Sequence, residues 1–140
     1  MTKMMSADEI KEEVRRFWSV LCAKSGDELA QFYSLEASVF SSSGERPEPG
    51  RVSAIRRKRE YCHPGATLQV QLGPIEVLFL DGNAGIACYT FCFSATDVAG
   101  EFGAGSDESI KYGRATQVFM RDSESNLRII HEHFSTATKK

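Results

Sequence analysis

Residues 113–135 read GRATQVFMRDSESNLRIIHEHFS. Ala115, Gln117 and Phe119 alternate with Thr116, Val118 and Met120, the period-two pattern of a strand whose side chains project to opposite faces. Asp122 to Asn126 supplies Asp, Ser and Asn, residues that favour turns. The stretch therefore predicts an antiparallel hairpin, Lys111–Arg121 with Leu127–Ser135. Its second arm poses the chemical question. His131 and His133 have the spacing of a metal-holding pair, and Glu132 between them is a candidate general base. A strand cannot turn all three toward one pocket, because Glu132 projects opposite to both histidines.

Working back from this hairpin, strand signals continue to Thr67. Leu68, Val70 and Leu72 alternate with polar partners, and Pro74 marks a break. Ile75–Leu80 runs into the turn signal Asp81-Gly82-Asn83, and Ala84–Ala95 is a long strand followed by the Gly-rich loop 99–105. The N-terminal third is helical. Ser6 and Glu9 form a capping box ahead of Ile10, Val14, Phe17, Trp18 and Leu21, which recur at helical spacing. Asp27 is positioned to cap a short second helix carrying Leu29, Phe32 and Tyr33. Ala37–Phe40 is a brief strand, and Pro47 and Pro49 lead into a third helix over about 51–61. There Val52, Ile55 and Cys62 are expected on the inner face, and Arg56-Arg57-Lys58-Arg59 is expected to be a solvated basic face. Helices first and antiparallel strands afterwards predict an α+β domain, with the helices packed on one face of a curved, mainly antiparallel sheet. A single domain spans 1–140, with about 1–5 and 136–140 expected to be flexible.

Composition narrows the partners. Across 140 residues, 17 basic side chains face 19 acidic ones, so no global attraction to nucleic acid or a membrane surface is implied. MTKMMSADEIKEE has no apolar core of a signal peptide, and no apolar run approaches a membrane span. Cys22, Cys62, Cys88 and Cys92 lack a metal-knuckle spacing and are expected to be reduced thiols of a cytoplasmic protein. His131 and His133 lack a third ligand, so neither a metal nor another cofactor is expected.

The order of elements, and the pieces FYSLEASVF (32–40), AGIACYTF (84–91), GRATQVFMRD (113–122) and LRIIHEHFS (127–135), resemble the SnoaL-like branch of the nuclear transport factor 2-like superfamily. The resemblance implies a cone-shaped α+β fold whose concave sheet face encloses a pocket and whose convex face meets a second subunit. The superfamily includes steroid isomerases, scytalone dehydratase, polyketide cyclases and a kinase association domain, so the scaffold alone does not assign an activity. The steroid-isomerase aspartate has no counterpart in Phe40-Ser41-Ser42, and Gln117 stands where those enzymes carry a pocket acid.

That frame assigns faces. Small Cys88, Thr90 and Cys92 leave volume open and are placed toward the cavity. Tyr89, Phe91 and Phe93 need a large apolar partner and are placed, with outward-facing His131 and His133, in a homodimer interface. Ala115, Gln117 and Phe119 face inward, as do Ile130, Glu132 and Phe134, leaving Ile129 outward. The expected site has Glu132 as the acid–base group, Thr90 and Gln117 as polar contacts, and Trp18, Tyr33 and Phe134 as walls. The expected function is a homodimer binding a small apolar organic molecule, with isomerase, cyclase or dehydratase chemistry at Glu132. The competing expectation is an association module in which assembly is the function.

Overall fold

The structure is a computed structural model and describes residues 5–40, 48–59, 65–97 and 108–137. The loop 99–105, the stop after Phe40, Cys62 and the terminal residues 1–4 and 138–140 lie outside the described residues.

Helix α1 (Ala7–Cys22) begins at the capping box: the Ser6 hydroxyl accepts the Glu9 N–H at 3.1 Å, and the Glu9 carboxylate accepts the Ser6 N–H at 3.4 Å. Ile10, Val14, Phe17, Trp18 and Leu21 form its buried stripe, as their spacing predicts. Met5, ahead of the cap, is also buried. A short 3₁₀ helix (Glu28–Phe32) follows, with no cap from the Asp27 side chain, and Tyr33 opens strand β1 (Tyr33–Phe40). The two-residue β2 (Glu48–Pro49) leads into helix α2 (Arg51–Arg59). The remaining strands are β3 (Ala66–Leu72), β4 (Glu76–Asp81), β5 (Ala84–Asp97), β6 (Glu108–Arg121) and β7 (Leu127–Ala137).

The sheet runs β2-β1-β7-β6-β5-β3, with β4 also paired to β5. Every pairing is antiparallel except the parallel contact of β1 with β7. The β6–β7 turn is held by Asp122, whose carboxylate accepts the N–H groups of Glu124 and Asn126 and the Arg128 guanidinium. The Asn126 backbone bond, with the Arg128 contact, holds the Asp122 carboxyl below its ordinary pKa. Arg121, at the end of β6, reaches back to Glu9 at 2.6 Å and ties this turn to the start of α1.

Two face assignments need correction. On β5, Tyr89, Phe91 and Phe93 are buried beneath α1, where the Trp18 ring lies 4.9 Å from Phe91 and 5.9 Å from Phe93. They are core residues, not an interface. Cys88, Thr90 and Cys92 occupy the face away from α1, with Thr90 exposed. The physical reason is area: α1 presents Phe17 and Trp18, and burying aromatic faces against them removes far more apolar surface from water than small side chains would. On β7, Val118 pairs with His131 but Phe119 pairs with Ile129, leaving Ile130 as the extra residue of a β-bulge. The bulge interrupts alternation, so Leu127 and Ile129 are buried, Ile130 is not, and Glu132 and Phe134 still face inward.

A candidate ligand seat at Glu132

Glu132 and Gln117 are directly opposed on β7 and β6, and both are 0% exposed. A buried charge is costly unless paired and hydrogen-bonded, and here it is both. One carboxylate oxygen of Glu132 accepts the Gln117 side-chain N–H at 2.7 Å. The other accepts the Lys58 ammonium at 2.7 Å. The Tyr33 hydroxyl, from the start of β1, lies 2.9 and 3.0 Å from the two oxygens and donates to the carboxylate.

Behind Gln117 the network continues to α1. The Tyr89 hydroxyl donates to the Gln117 carbonyl oxygen at 2.7 Å and accepts the Trp18 indole N–H at 2.9 Å. Trp18 can only donate, so Tyr89 must pass its own proton toward Gln117. Gln117 must then present its oxygen to Tyr89 and its NH₂ to Glu132. The sequence Trp18→Tyr89→Gln117→Glu132 thus fixes the amide orientation. Burial, reinforced by the Glu132 charge and hydrogen bond, pushes the Tyr33 phenol well above its ordinary pKa. Burial does the same to Tyr89, with the Trp18 bond opposing it and the Glu132 charge adding to it.

Aromatic rings enclose this polar line. Phe134 stacks on Trp18 at 5.7 Å with an interplanar angle of 17° and lies 5.4 Å from Phe91. Phe17 meets Tyr33, Phe32 and Phe134 edge-on. Above Trp18, an open groove of about 610 Å³ runs between α1 and β3, lined by Cys22, Gln69, Val70 and Leu72 among others. A larger groove of about 800 Å³ is lined by Thr90, Tyr112 and Arg114 and contains none of the Glu132 network.

Of the residues expected from the sequence, Trp18, Tyr33, Gln117, Glu132 and Phe134 converge. Thr90 does not: it faces the other side of β5, for the reason that turns Tyr89 inward. Lys58 and Tyr89 are the additions. The basic run on α2 is not uniformly solvated, because Ala54 and Ile55 are buried and Lys58 follows them at helical spacing on the same face. Val52, expected inside, is 75% exposed. Lys58 lies four residues on from Ala54 and three from Ile55, which turns it inward. His131 and His133 point away from the network. His131 Nδ1 pairs with the Ser38 hydroxyl at 2.8 Å, and the ring of Phe40 lies against both histidines. Among the described residues no group of His, Cys, Asp and Glu has the arrangement of a metal site. No described helix is long and apolar enough to cross a membrane.

No family model and no curated protein matches the sequence. Solved structures do match in shape. A protein described as a calcium/calmodulin-dependent protein kinase II association domain, from Xanthomonas campestris, aligns over 99% of this chain and 97% of its own, with a TM-score of 0.78 and 14% identity. A nuclear transport factor 2-like superfamily protein from Salmonella enterica aligns over 95% and 92%, at 0.73 and 21% identity. A protein described as a scytalone dehydratase, from Novosphingobium aromaticivorans, aligns over 92% and 82%, at 0.77 and 13% identity. Likeness at these identities is likeness of fold: the chain has the cone-shaped α+β fold of the nuclear transport factor 2-like superfamily.

Proposed function

We propose that this chain binds a small, partly hydrophobic organic molecule inside the cone, with Glu132 as the polar anchor and the proton-exchanging group. The observation that carries this reading is a fully buried carboxylate with Tyr33, Gln117 and Lys58 converging on it inside an aromatic shell. Ordinary cores avoid such groups, and the few polar groups that fix a ligand's orientation are typically set in apolar walls like these. Trp18 and Phe134 are the walls, and the groove between α1 and β3 is the approach. A bound molecule that meets Glu132 exchanges a proton with it, and the Tyr33 phenol holds the carboxylate in place.

Trp18 is the single tryptophan, so its emission reports this site alone. Titration with 4-nitrobenzyl alcohol, a neutral aromatic that quenches indole, should give saturable quenching. Quenching that rises linearly, as for free tryptophan amide, would overturn the reading. For any substrate then found, Glu132→Gln should abolish turnover.

The second reading, assembly, is favoured by a specific feature: among the described residues no helix covers the sheet face bearing Phe40, Thr116, Val118, His131 and His133. We infer a homodimer through this face, without the buried Tyr89, Phe91 and Phe93. Val118→Asp should give a monomer in sedimentation. A monomer that keeps the Trp18 response is a binder that happens to dimerise, whereas loss of both favours an association module.

A further inference from the structure

The surroundings of Lys58 resemble a ligand site more than a surface ion pair. Its Nζ lies 2.7 Å from Glu132 and 3.2 Å from the Ala54 carbonyl oxygen. It also stands 4.7 Å from the centre of the Phe134 ring and 5.7 Å from that of Tyr33. Two aromatic faces and a carboxylate around an ammonium are the elements by which proteins recognise organic cations, since the ring faces carry negative charge density and the carboxylate neutralises the rest. The carboxylate is itself fixed from behind by Tyr33 and Gln117, so the seat is preorganised around the cation.

The Lys58 side chain is 12% exposed and Glu132 0%, which places the amine on the solvent side of the pair. Its flexible four-carbon stem, rooted on α2, can withdraw toward solvent without moving the helix. The rings and the carboxylate sit on β1 and β7 and need not follow.

We propose that Tyr33, Phe134 and Glu132 form an ammonium-recognition seat which Lys58 fills as an internal ligand. Small organic cations bearing a primary amine then displace Lys58 from the seat. The proposal rests on the reading of the Glu132 network as a ligand seat and adds the ligand's charge class. Lys58 sets a threshold: an incoming amine must outbind a tethered competitor, so apparent affinity is scaled down to the fraction of chains in which the seat is open.

Lys58→Ala removes the competitor and leaves the seat. Thermal unfolding of this variant is compared in sodium chloride, in n-butylammonium chloride at equal ionic strength, and in sodium chloride with n-butanol. Butylammonium should raise the variant's Tm in proportion to the logarithm of its concentration above Kd, by about 5 °C at ten times Kd. Butanol should not, and the wild-type chain should need at least about ten times more amine for the same shift. The Lys58→Ala, Glu132→Gln double variant should show no amine-specific rise. If Lys58→Ala does not fold in sodium chloride, the comparison becomes refolding yield, and recovery in butylammonium alone supports the seat. Equal behaviour in butylammonium and butanol, whether as Tm or as refolding, overturns the proposal. Saturable quenching of wild-type Trp18 by 4-nitrobenzyl alcohol with no amine rescue keeps the ligand seat and removes its selectivity for amines. Loss of the quenching itself removes the underlying reading instead.

Discussion

Replacing Lys58 by Met keeps an apolar stem of similar length and removes the ammonium that lies 2.7 Å from a carboxylate with no solvent exposure. Breaking one half of a buried ion pair costs about 3–5 kcal/mol, because the remaining charge is left uncompensated. The hydrogen bonds from Tyr33 and Gln117 survive the substitution and each stabilises the carboxylate, which puts the expectation at the lower end, about 3 kcal/mol. For 140 residues, an unfolding entropy of about 2.1 cal/mol/K per residue converts this to a Tm loss of roughly 10 °C. Urea unfolding followed by both circular dichroism and Trp18 emission gives the free energy, provided the slope against denaturant is unchanged. Glu132→Gln in the same background removes the orphaned charge, so the double variant should be more stable than the sum of the two single losses predicts, by about 2 kcal/mol. A Lys58→Met variant within about 0.5 kcal/mol of wild type, or losses that simply add, would refute the buried pair.

Alkaline pH offers a second check. Tyr33 and Tyr89 have folded pKa values raised above the ordinary 10.0, so the unfolded chain releases their protons first. Their contribution is complete below about pH 10 and is lost above it, at up to about 1.4 kcal/mol per pH unit for each tyrosine. Tm measured from about pH 9 to pH 11 should fall more gently in Tyr33→Phe than in wild type. An identical alkaline slope would contradict the burial of that phenol. Two glycines should respond unequally to alanine. A Cβ on Gly113 would lie 2.2 Å from the Phe91 ring, which is held between Trp18 and Phe134, so Gly113→Ala should cost about 1–3 kcal/mol in urea unfolding. A Cβ on Gly73 meets the hydroxyl of exposed Thr90 at 2.4 Å, which can rotate aside, so Gly73→Ala should cost less than Gly113→Ala. The reverse order would mean that Phe91 is not confined.

The fold was legible in the sequence because its signals are local. The capping box at Ser6, the helical stripe through Leu21, the turn at Asp81-Gly82-Asn83 and the alternation in 113–121 each depend on neighbours a few residues apart. The facing of β5 was not local. Both of its faces alternate correctly, and the choice between them belongs to α1, whose Phe17 and Trp18 demand aromatic partners. The space that small side chains leave open does not decide between the faces, and it is Tyr89 and not Thr90 that meets the site. Ile130 failed for a different reason: a bulge adds one residue to β7, and nothing in Arg128-Ile129-Ile130-His131 announces it. Glu132 faces inward as expected because the residues after the bulge keep their own alternation. Lys58 lay hidden in a run of four basic residues, where charge composition suggested solvent and only the phase set by Ala54 and Ile55 distinguishes one of them.

The central claim, that the Glu132 network is where a ligand sits, is tested most directly by NMR titration with 4-nitrobenzyl alcohol. The Trp18 indole N–H, at the α1 end of the network, and the Gln117 side-chain NH₂, which donates to Glu132, are resolvable reporters. Both should shift saturably with one shared Kd, and Glu132→Gln should change that Kd. Shifts confined to the groove of Thr90, Tyr112 and Arg114, with Trp18 and Gln117 unmoved, would contradict the account.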